Sequence, residues 1–575
     1  MPQTDSGAPH PGPRASGLPS AALVLATTLL INAPCLFYPL ARDQGIFAYN
    51  TAALLDGATP YLDFVDQKPP GILFIYAIPL LLFGRSMWGI HLFEWIVIGV
   101  TSLLVQRLAS RLAGELAGLA GGLLTGFLLG PSLYDFWDRA QVESFLTLPY
   151  AAILLLFTGE EEARGWKRLA LAGAMGGGCF CLKPNAAAFP LLAAAVHLWF
   201  GWREAAPPRL GRLLAGLACF AVFFSALPVV MLGWLQAKGA WQAFIEHVLA
   251  VNTPYVGAGF RATLLGFSIG IAPAMGLGGA VLLVFFFAAR RAFRKFFETV
   301  WVGLGPPARR AERLALLAAL WIGCVVTFIS GRFLFSYHQQ VLVFPNALTL
   351  ALFVPGFRVL AGDRLAGWFD STWIGRPVFP GSLAALALVL GTVLTLRPED
   401  RTLLSGKLSL VEYQGSPRFD FFDFSFSQDR ALARAVADFT RPPESVQIFG
   451  HGSLALFLAR RSSATRFSYT SAAMDPRYGR GGKDREEILE RLRQEPPPLV
   501  VIRTNDALPR FDVASSERQV LEFAPLASFL RESYRGAGRI GDYILLRRRV
   551  MPPVQPSVRL STVRARAVPQ APQDA

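Results

Sequence analysis

The chain has 575 residues, of which 53% are hydrophobic and only 17% are charged. A soluble protein of this length would be less apolar, so the composition excludes an ordinary soluble enzyme and predicts a protein of the lipid bilayer. The net charge of +15 does not indicate a nucleic-acid partner, because basic residues in membrane proteins collect in the cytoplasmic loops.

The N-terminus combines a polar tail with a first apolar run. Residues 1–20 are rich in Pro, Ser and Gly, which predicts a disordered cytoplasmic tail. The run at 21–40 is long enough to cross a bilayer. It lacks a basic leading segment and a small-residue cleavage site, so we expect a retained helix and not a cleaved signal.

Apolar runs of spanning size recur as far as residue 396 and predict a multi-span membrane domain over residues 21–399. The eleven runs are 21–40, 88–107, 113–131, 144–158, 169–182, 185–200, 213–235, 263–289, 314–330, 338–356 and 380–396. A further run at 71–84 is short and contains Pro79, which favours an interfacial or re-entrant helix. If that run crosses instead, every later loop changes sides.

Basic residues divide the loops into two sets. If 71–84 does not cross, the loops rich in Lys and Arg share one side, and the most basic of them lies between residues 290 and 313. An excess of Lys and Arg marks the cytoplasmic face, so the N-terminus is predicted to be inside. The outer loops are then 41–87, 132–143, 183–184, 236–262 and 331–337.

Residues 400–551 have a different pattern from the membrane domain. Short apolar strands are predicted at 445–450, 498–504 and 542–549, and a charged helix at 485–494. This alternation predicts an α/β domain, which the odd number of crossings places outside the membrane. Residues 552–575 are rich in Pro and Ala and are predicted to be disordered.

The first outer loop begins with an acidic residue and a helical pattern. Asp43 directly follows the first span, and apolar residues from Phe47 to Leu55 recur at helical spacing. The pattern predicts a short amphipathic helix along the membrane surface, ended by Gly57. A simpler interpretation of Asp43 is that its carboxylate caps this helix.

The same loop ends in "DQKPPG", where two prolines follow Lys68. Pro69 restricts Lys68 to an extended backbone, so its ammonium is held at the mouth of the next apolar helix. A cation fixed at headgroup level can bind an anionic lipid phosphate, and a neighbouring carboxylate can take a proton from a hydroxyl acceptor. Snorkelling at the interface is the structural alternative for Lys68.

Several motifs of this loop resemble the first loop of GT-C fold glycosyltransferases that use lipid-linked sugars, in the branch of protein O-mannosyltransferases and lipid A aminoarabinose transferases. The matching residues are Arg42, Asp43, Tyr49, Gly57, Pro60, Tyr61, Asp66, Lys68, Pro69, Pro70 and Gly84. Weaker similarities are "DRAQVESFLTLP" at 138–149, "CLKPN" around residue 183 and "GRFLFSYHQQVLVFP" at 331–345.

The resemblance implies a fold class and an activity. The fold would be an α-helical polytopic membrane protein of GT-C type with a C-terminal extracytoplasmic α/β domain. The activity would be an inverting transfer of a hexose or pentose from a polyprenyl-phosphate donor to a hydroxyl of a protein, lipid A or another envelope glycan. The protein would lie in a bacterial inner membrane, with its active site and C-terminal domain on the periplasmic side.

The resemblance also assigns roles to particular residues. Asp43 would be the catalytic base or acceptor anchor, and Lys68 would bind the donor phosphate. Lys183 and Arg332 are further cations near span ends that could neutralise a phosphodiester leaving group. The predicted substrate-binding residues are Tyr61, Asp66, Asp138, Glu143, Tyr337 and His338. Each also has a structural alternative, such as a turn acid, a helix N-terminal charge or an aromatic belt residue.

A metal cofactor is left open by the sequence. Many relatives carry a second acid beside the first-loop aspartate, whereas this chain has Gln44. A neutral amide is a weaker ligand for a hard cation, so a paired-carboxylate metal site is disfavoured. No other cofactor is predicted.

Two other functions compete with glycosyl transfer. A transporter or flippase for a lipid-linked glycan would also carry membrane charges, but such proteins often show related halves, which this sequence lacks. An envelope assembly scaffold would leave the lysine and double proline without a role. The charged candidates cluster on one predicted face, which favours surface chemistry over translocation.

Overall fold

The structure is a computed structural model that describes residues 17–159, 165–204, 210–250, 295, 298–302, 304–305, 307–330, 335–360, 378–421, 423–477, 480, 482–507 and 513–549. The predicted span at 263–289, the C-terminal tail and Arg332 lie outside the described residues. So does the polar tail as far as residue 16.

Each predicted apolar run in the described part of the chain forms a helix. These helices are α1 (Gly17–Asn32), α4 (Met87–Ala113), α5 (Glu115–Leu128), α6 (Val142–Phe157), α7 (Trp166–Leu182), α8 (Ala188–Glu204), α9 (Leu210–Ala237), α11 (Pro307–Ile329), α12 (Val343–Leu360) and α13 (Val378–Thr395). The first loop contributes α2 (Arg42–Leu55) and α3 (Gly71–Phe83), and α10 (Trp241–Phe244) follows α9. The predicted polytopic helical class is confirmed.

Five of the described helical segments are long and apolar enough to cross a bilayer by themselves. A sixth forms if α13 is joined to α14 (Pro398–Leu404) across a bend of 114°. Helix α3 has only 13 residues and contains Pro79, so it is shorter than a bilayer-spanning helix requires. The total of eleven spans therefore stays a prediction.

Glycines allow two membrane helices to approach closely. Gly173 and Gly177 lie four residues apart on α7 and face α9. A Cβ atom at Gly177 would lie 2.2 Å from the carbonyl oxygen of Phe224, so only glycine permits this backbone contact. Small residues at this spacing are typical of helix packing in membranes, where close van der Waals contact replaces the hydrophobic effect.

The C-terminal region folds as the predicted α/β domain. Its four-stranded sheet has the order β3 (Val446–Phe449), β4 (Leu499–Arg503), β6 (Tyr543–Arg548) and β5 (Tyr534–Ile540). Strands β3 and β4 are parallel, whereas β6 is antiparallel to both of its neighbours. Strands β3, β4 and β6 match the predicted strands to within about one residue.

The remaining elements of this region surround the sheet. They are α15 (Leu410–Gln414), a short hairpin of β1 (Asp420–Phe421) and β2 (Phe424–Ser425), α16 (Phe426–Phe439), α17 (Ser453–Ala459), α18 (Ser471–Met474), α19 (Lys483–Gln494), α20 (Ser516–Glu522) and α21 (Ala524–Ser533). The predicted helix at 485–494 corresponds to α19. The outer limits of the domain, at 400 and 551, stay predictions.

Helix α2 lies between the membrane helices and the C-terminal domain. It ends as predicted before Gly57, which has a φ of 99° that an L-residue rarely adopts. The predicted position of this helix on the membrane surface, with one side exposed, is wrong, because every residue from 44 to 52 is buried. The domain covers that side: a Cβ atom at Gly45 would lie 2.7 Å from the Cβ atom of Leu454 in α17.

Candidate active site

Asp43 and Lys68 lie together beneath the C-terminal domain. The Lys68 Nζ atom is 3.9 Å from Oδ2 of Asp43, and their side chains are 37% and 19% exposed. The ammonium also sits 4.4 Å from the centre of the Phe47 ring, a cation–π contact that restrains it. A carboxylate and an ammonium are thus adjacent and partly open to an incoming molecule.

The backbone around Lys68 is held by three neighbouring side chains. The Tyr61 hydroxyl donates to the carbonyl of Lys68 at 2.7 Å, and Tyr61 itself has a left-handed φ of 68°. The Lys68 amide donates to Asp66 at 3.0 Å, and Asn50 donates to the second carboxylate oxygen at 3.3 Å. Tyr61 and Asp66, predicted to bind substrate, are buried here and position the lysine.

Gly71, at the end of the "KPPG" motif, brings this loop against the end of α7. A Cβ atom at Gly71 would lie 2.3 Å from the carbonyl oxygen of Cys181, two residues before Lys183. Such a contact cannot be made by a residue with a side chain without moving the backbone. The glycine therefore allows the first loop to pack beside the segment that carries the second cation.

We expect Gly71→Ala to separate α3 from the end of α7. The forced shift should destabilise the protein by about 1–3 kcal/mol, as overpacking generally does. Thermal unfolding in detergent measures the loss. Gly178→Ala is the matched control, because a Cβ atom there would meet only the Leu227 Cδ1 atom at an ordinary 3.8 Å. Equal stability of the two variants would contradict the packing role of Gly71.

A second ion pair joins Lys183 to Glu143. The Lys183 Nζ atom donates to Oε1 of Glu143 at 2.7 Å, and the Glu143 side chain is only 3% exposed. His338 Nε2 lies 3.9 Å from the same carboxylate oxygen. A buried carboxylate needs such partners, so Glu143 balances the charge of Lys183.

Tyr337 and His338 connect the two ion pairs. The Tyr337 hydroxyl donates to Oδ2 of Asp43 at 3.5 Å, and its ring contacts the His338 ring at 4.4 Å. His338 in turn faces the Glu143 carboxylate, to which Lys183 also donates. The structure thus brings together six of the predicted site residues, from four different loops.

The charge state of Asp43 follows from its neighbours. Burial acts to raise the pKa of this carboxyl, but the charges of Lys68 and then Arg42 outweigh burial and hold the pKa below its ordinary value. Asp43 is therefore ionised at neutral pH. A phosphate bound by Lys68 would offset the ammonium charge and so make the carboxylate a stronger proton acceptor.

The C-terminal domain contributes a residue that the sequence did not indicate. Arg42 donates to both oxygens of Asp423, at 3.0 and 3.3 Å, while its Nε atom is 3.5 Å from Oδ1 of Asp43. Asp423 therefore neutralises part of the positive charge of Arg42, so Arg42 stabilises the ionised form of Asp43 less than it would alone. No local motif marks Asp423, because its partner is 381 residues away along the chain.

His451 lies behind this bridge, 3.8 Å from Asp423. Burial and the nearby charge of Arg42 lower the pKa of His451 to about 3, so the imidazole is neutral. Its ring stacks on Tyr469 at 5.2 Å, and Gln67 of the first loop donates to the Tyr469 hydroxyl at 2.9 Å. These contacts tie the domain to the loop that carries Lys68 and give His451 a structural role.

Asp138 lies in the interior and not at the ion pairs. Its side chain is 1% exposed and accepts hydrogen bonds from the Asp135 amide, at 3.0 Å, and from the Ser336 hydroxyl. Burial raises its pKa to about 6. These contacts fasten the 136–138 turn to the segment before α12, and so help to position Tyr337.

Gln44 points away from Asp43 and binds backbone groups. Its Nε2 atom donates to the carbonyl oxygens of Phe136, Trp137 and Arg139, at 3.0, 3.1 and 2.6 Å, and its Oε1 atom accepts from Ala41. The amide uses both of its polar groups in holding the 136–139 loop. Within the described residues, no group of three His, Cys, Asp or Glu side chains is arranged to hold a metal ion.

Gln44→Glu is expected to destabilise the protein near neutral pH by at least about 1–3 kcal/mol, because a buried carboxylate would face carbonyl oxygens. The deficit should shrink as the pH falls, since a protonated carboxyl can donate a hydrogen bond. Thermal unfolding at several pH values measures both effects. Gln236→Glu, at an exposed position of α9, serves as the control. A pH-independent deficit would contradict this interpretation.

A family model for dolichyl-phosphate-mannose-protein mannosyltransferases matches residues 67–231. The matched region contains Lys68, Glu143 and Lys183, whereas Asp43 and the C-terminal domain lie outside it. No curated protein matched the chain by sequence.

Two solved structures share the fold of this chain at low sequence identity, and a third has a lower TM-score. The crystal structure of ArnT from Cupriavidus metallidurans bound to undecaprenyl phosphate has a TM-score of 0.54 and 14% identity, covering 93% of this chain and 98% of that one. Its apo form has a TM-score of 0.52 with the same identity and coverage. The apo oligosaccharyltransferase of Archaeoglobus fulgidus has a TM-score of 0.47 and 11% identity, covering 84% of this chain and 69% of that one.

Proposed function

We propose that this chain, a membrane protein with the GT-C fold, is a glycosyltransferase in the branch of the protein mannosyltransferases and ArnT. It takes one sugar from a polyprenyl-phosphate carrier and transfers it to an acceptor hydroxyl. The acceptor is a protein, lipid A or another glycan of the cell envelope.

The observation that carries this proposal is the adjacency of Asp43 and Lys68, 3.9 Å apart and partly exposed. A cation can hold the donor phosphate while the carboxylate accepts a proton from the acceptor. Lys183 supplies a second cation nearby, and Arg332 remains a candidate for a third. Charge stabilisation of a departing phosphate by cations held in fixed positions is a strong source of rate enhancement.

The reaction balances without a cofactor. The acceptor oxygen forms a bond to the anomeric carbon, and the bond between that carbon and the phosphate oxygen breaks. The acceptor proton passes to Asp43, and the polyprenyl phosphate leaves with the bonding electron pair, stabilised by Lys68 and Lys183. Attack opposite the leaving group inverts the anomeric configuration. Tyr337 and His338, which lie between the ion pairs, contact the sugar or the acceptor.

The site faces the periplasm of a bacterial inner membrane in this proposal. The C-terminal domain and the first loop then share the outer side, and the basic loops lie in the cytoplasm. Val302→Cys offers a test, because this side chain is 61% exposed in the basic loop. Modification of this cysteine by a membrane-impermeant reagent in intact cells would show that the orientation is opposite to the one proposed.

The transfer itself is tested with the purified full-length chain in liposomes, supplied with labelled polyprenyl-phosphate sugar and an envelope extract as acceptor. We expect label to leave the carrier and appear covalently on the acceptor. If label instead crosses the bilayer while still attached to the carrier, the chain is a flippase and the proposal fails. Comparing envelope glycans of cells with and without the protein then identifies the acceptor.

A further inference from the structure

A cavity of about 340 Å³ opens where the C-terminal domain meets the start of α4. Apolar side chains, including Met87 and Phe426, form part of its wall. Three arginines also line it: Arg430 and Arg434 from α16, and Arg460 from the end of α17. None of these residues belongs to the candidate active site.

The three arginines concentrate positive charge without acidic compensation. Among the residues that the structure describes, none of them forms an ion pair, although Arg430 donates to the Val411 carbonyl at 3.2 Å. Arg430 and Arg434 stand four residues apart on one helix face, an arrangement of like charges that destabilises a helix. A bound anion would relieve this repulsion.

The surroundings of the cavity are those of a membrane surface. Leu81 and Leu82, at the end of α3, are 71% and 68% exposed, and Trp88, in the first turn of α4, is 47% exposed. Helix α4 is long and apolar enough to span a bilayer, so its first turn lies at headgroup level. An exposed tryptophan at that level is typical of the interfacial aromatic belt.

We propose that this cavity binds the phosphate of an anionic phospholipid from the surrounding bilayer. Guanidinium groups recognise phosphate oxygens through paired hydrogen bonds. The acyl chains would extend along Leu81, Leu82 and Trp88, while the phosphate sits between Arg430, Arg434 and Arg460. A lipid fits this site better than a soluble anion does, because apolar side chains line the cavity beside the arginines and the exposed Trp88 directly follows the lining residue Met87. The bound lipid would anchor the C-terminal domain to the membrane independently of catalysis.

Native mass spectrometry of the full-length chain in detergent tests this proposal by titration with phosphatidylglycerol. We expect Arg430→Gln, Arg434→Gln and Arg460→Gln to weaken binding by about five-fold for each arginine removed. The control replaces Arg493, Arg531 and Arg535 by Gln, since these exposed arginines belong to other elements of the domain and give the same change in net charge. Thermal unfolding verifies that both triple variants are folded.

Two further ligands define the chemistry of the site. Phosphatidylcholine should bind much more weakly than phosphatidylglycerol, because it carries no net negative charge. Inorganic phosphate should not compete, because it lacks the apolar chains. The proposal is overturned if the first triple variant binds phosphatidylglycerol as the unmodified chain does, if the two lipids bind equally, or if inorganic phosphate displaces the lipid.

Discussion

Asp43→Asn is expected to lower the turnover of sugar transfer by about 10²–10⁴-fold, the usual contribution of a general base. Asparagine has nearly the same shape as aspartate, so the packing of α2 should persist. It cannot accept the proton of the acceptor hydroxyl, and this is the step that should fail. The experiment measures transfer from labelled polyprenyl-phosphate sugar by membranes that contain equal amounts of folded protein.

A measurement of donor binding distinguishes the loss of a catalytic base from a general loss of structure. Asp43→Asn removes the carboxylate beside Lys68, so the ammonium is freer to bind phosphate and donor affinity should be unchanged or higher. Asp63→Asn is the matched control, because Asp63 lies in the same loop, is exposed, and its carboxylate accepts a hydrogen bond from the Thr59 amide. An unchanged turnover in folded Asp43→Asn would remove Asp43 from the mechanism.

Lys68→Ala is expected to weaken donor binding by about 10- to 100-fold, the equivalent of a lost hydrogen bond to a charged group. This loss of donor affinity should be smaller at high salt, because salt screens the attraction between the Lys68 ammonium and the donor phosphate.

Lys68→Ala should also change the pH dependence of the reaction. Lys68 lowers the pKa of Asp43, so its removal raises that pKa, and the acid limb of kcat/KM should move to higher pH.

Lys238→Ala is the control for Lys68→Ala, since Lys238 is an exposed lysine just after α9.

The role of the second cation, Lys183, has to be tested by replacing it together with its partner Glu143. Removing Lys183 alone would leave Glu143 charged and buried, at a cost of about 3–5 kcal/mol in stability. The double variant Lys183→Met and Glu143→Gln avoids this and should still weaken donor binding. If neither Lys68→Ala nor the double variant changes donor affinity, the donor phosphate binds elsewhere.

The sequence predicted those features that depend on local chemistry. Hydropathy alone located the described membrane helices, since a span must be apolar over its whole length. Strand β5 (Tyr534–Ile540) was missed, because two glycines within "YRGAGRI" remove the alternating pattern on which a strand prediction depends. The proximity of Asp43 and Lys68 agrees with the expectation drawn from their shared loop, although their roles stay predictions.

Features that depend on tertiary contacts were not predictable from one sequence. Helix α2 has the pattern of a surface helix, yet the domain that covers it begins hundreds of residues later. Asp138 has the pattern of a turn acid in water, but its hydrogen bonds to Ser336 and Asp135 are made in the interior. The same limit applies to Arg42 and Asp423, whose contact exists only once the two regions are docked.

The burial of α2 has a consequence for how the protein can be divided. A chain cut near residue 400 would expose the side of α2 that Leu454 now covers and would remove Asp423, one of the two acidic partners of Arg42. The membrane helices and the C-terminal domain thus depend on each other for their packing, and either fragment produced separately should be less stable than the same region in the full chain. Crystallisation or antibody-selection efforts aimed at the C-terminal domain alone would study a surface that is hidden in the intact molecule.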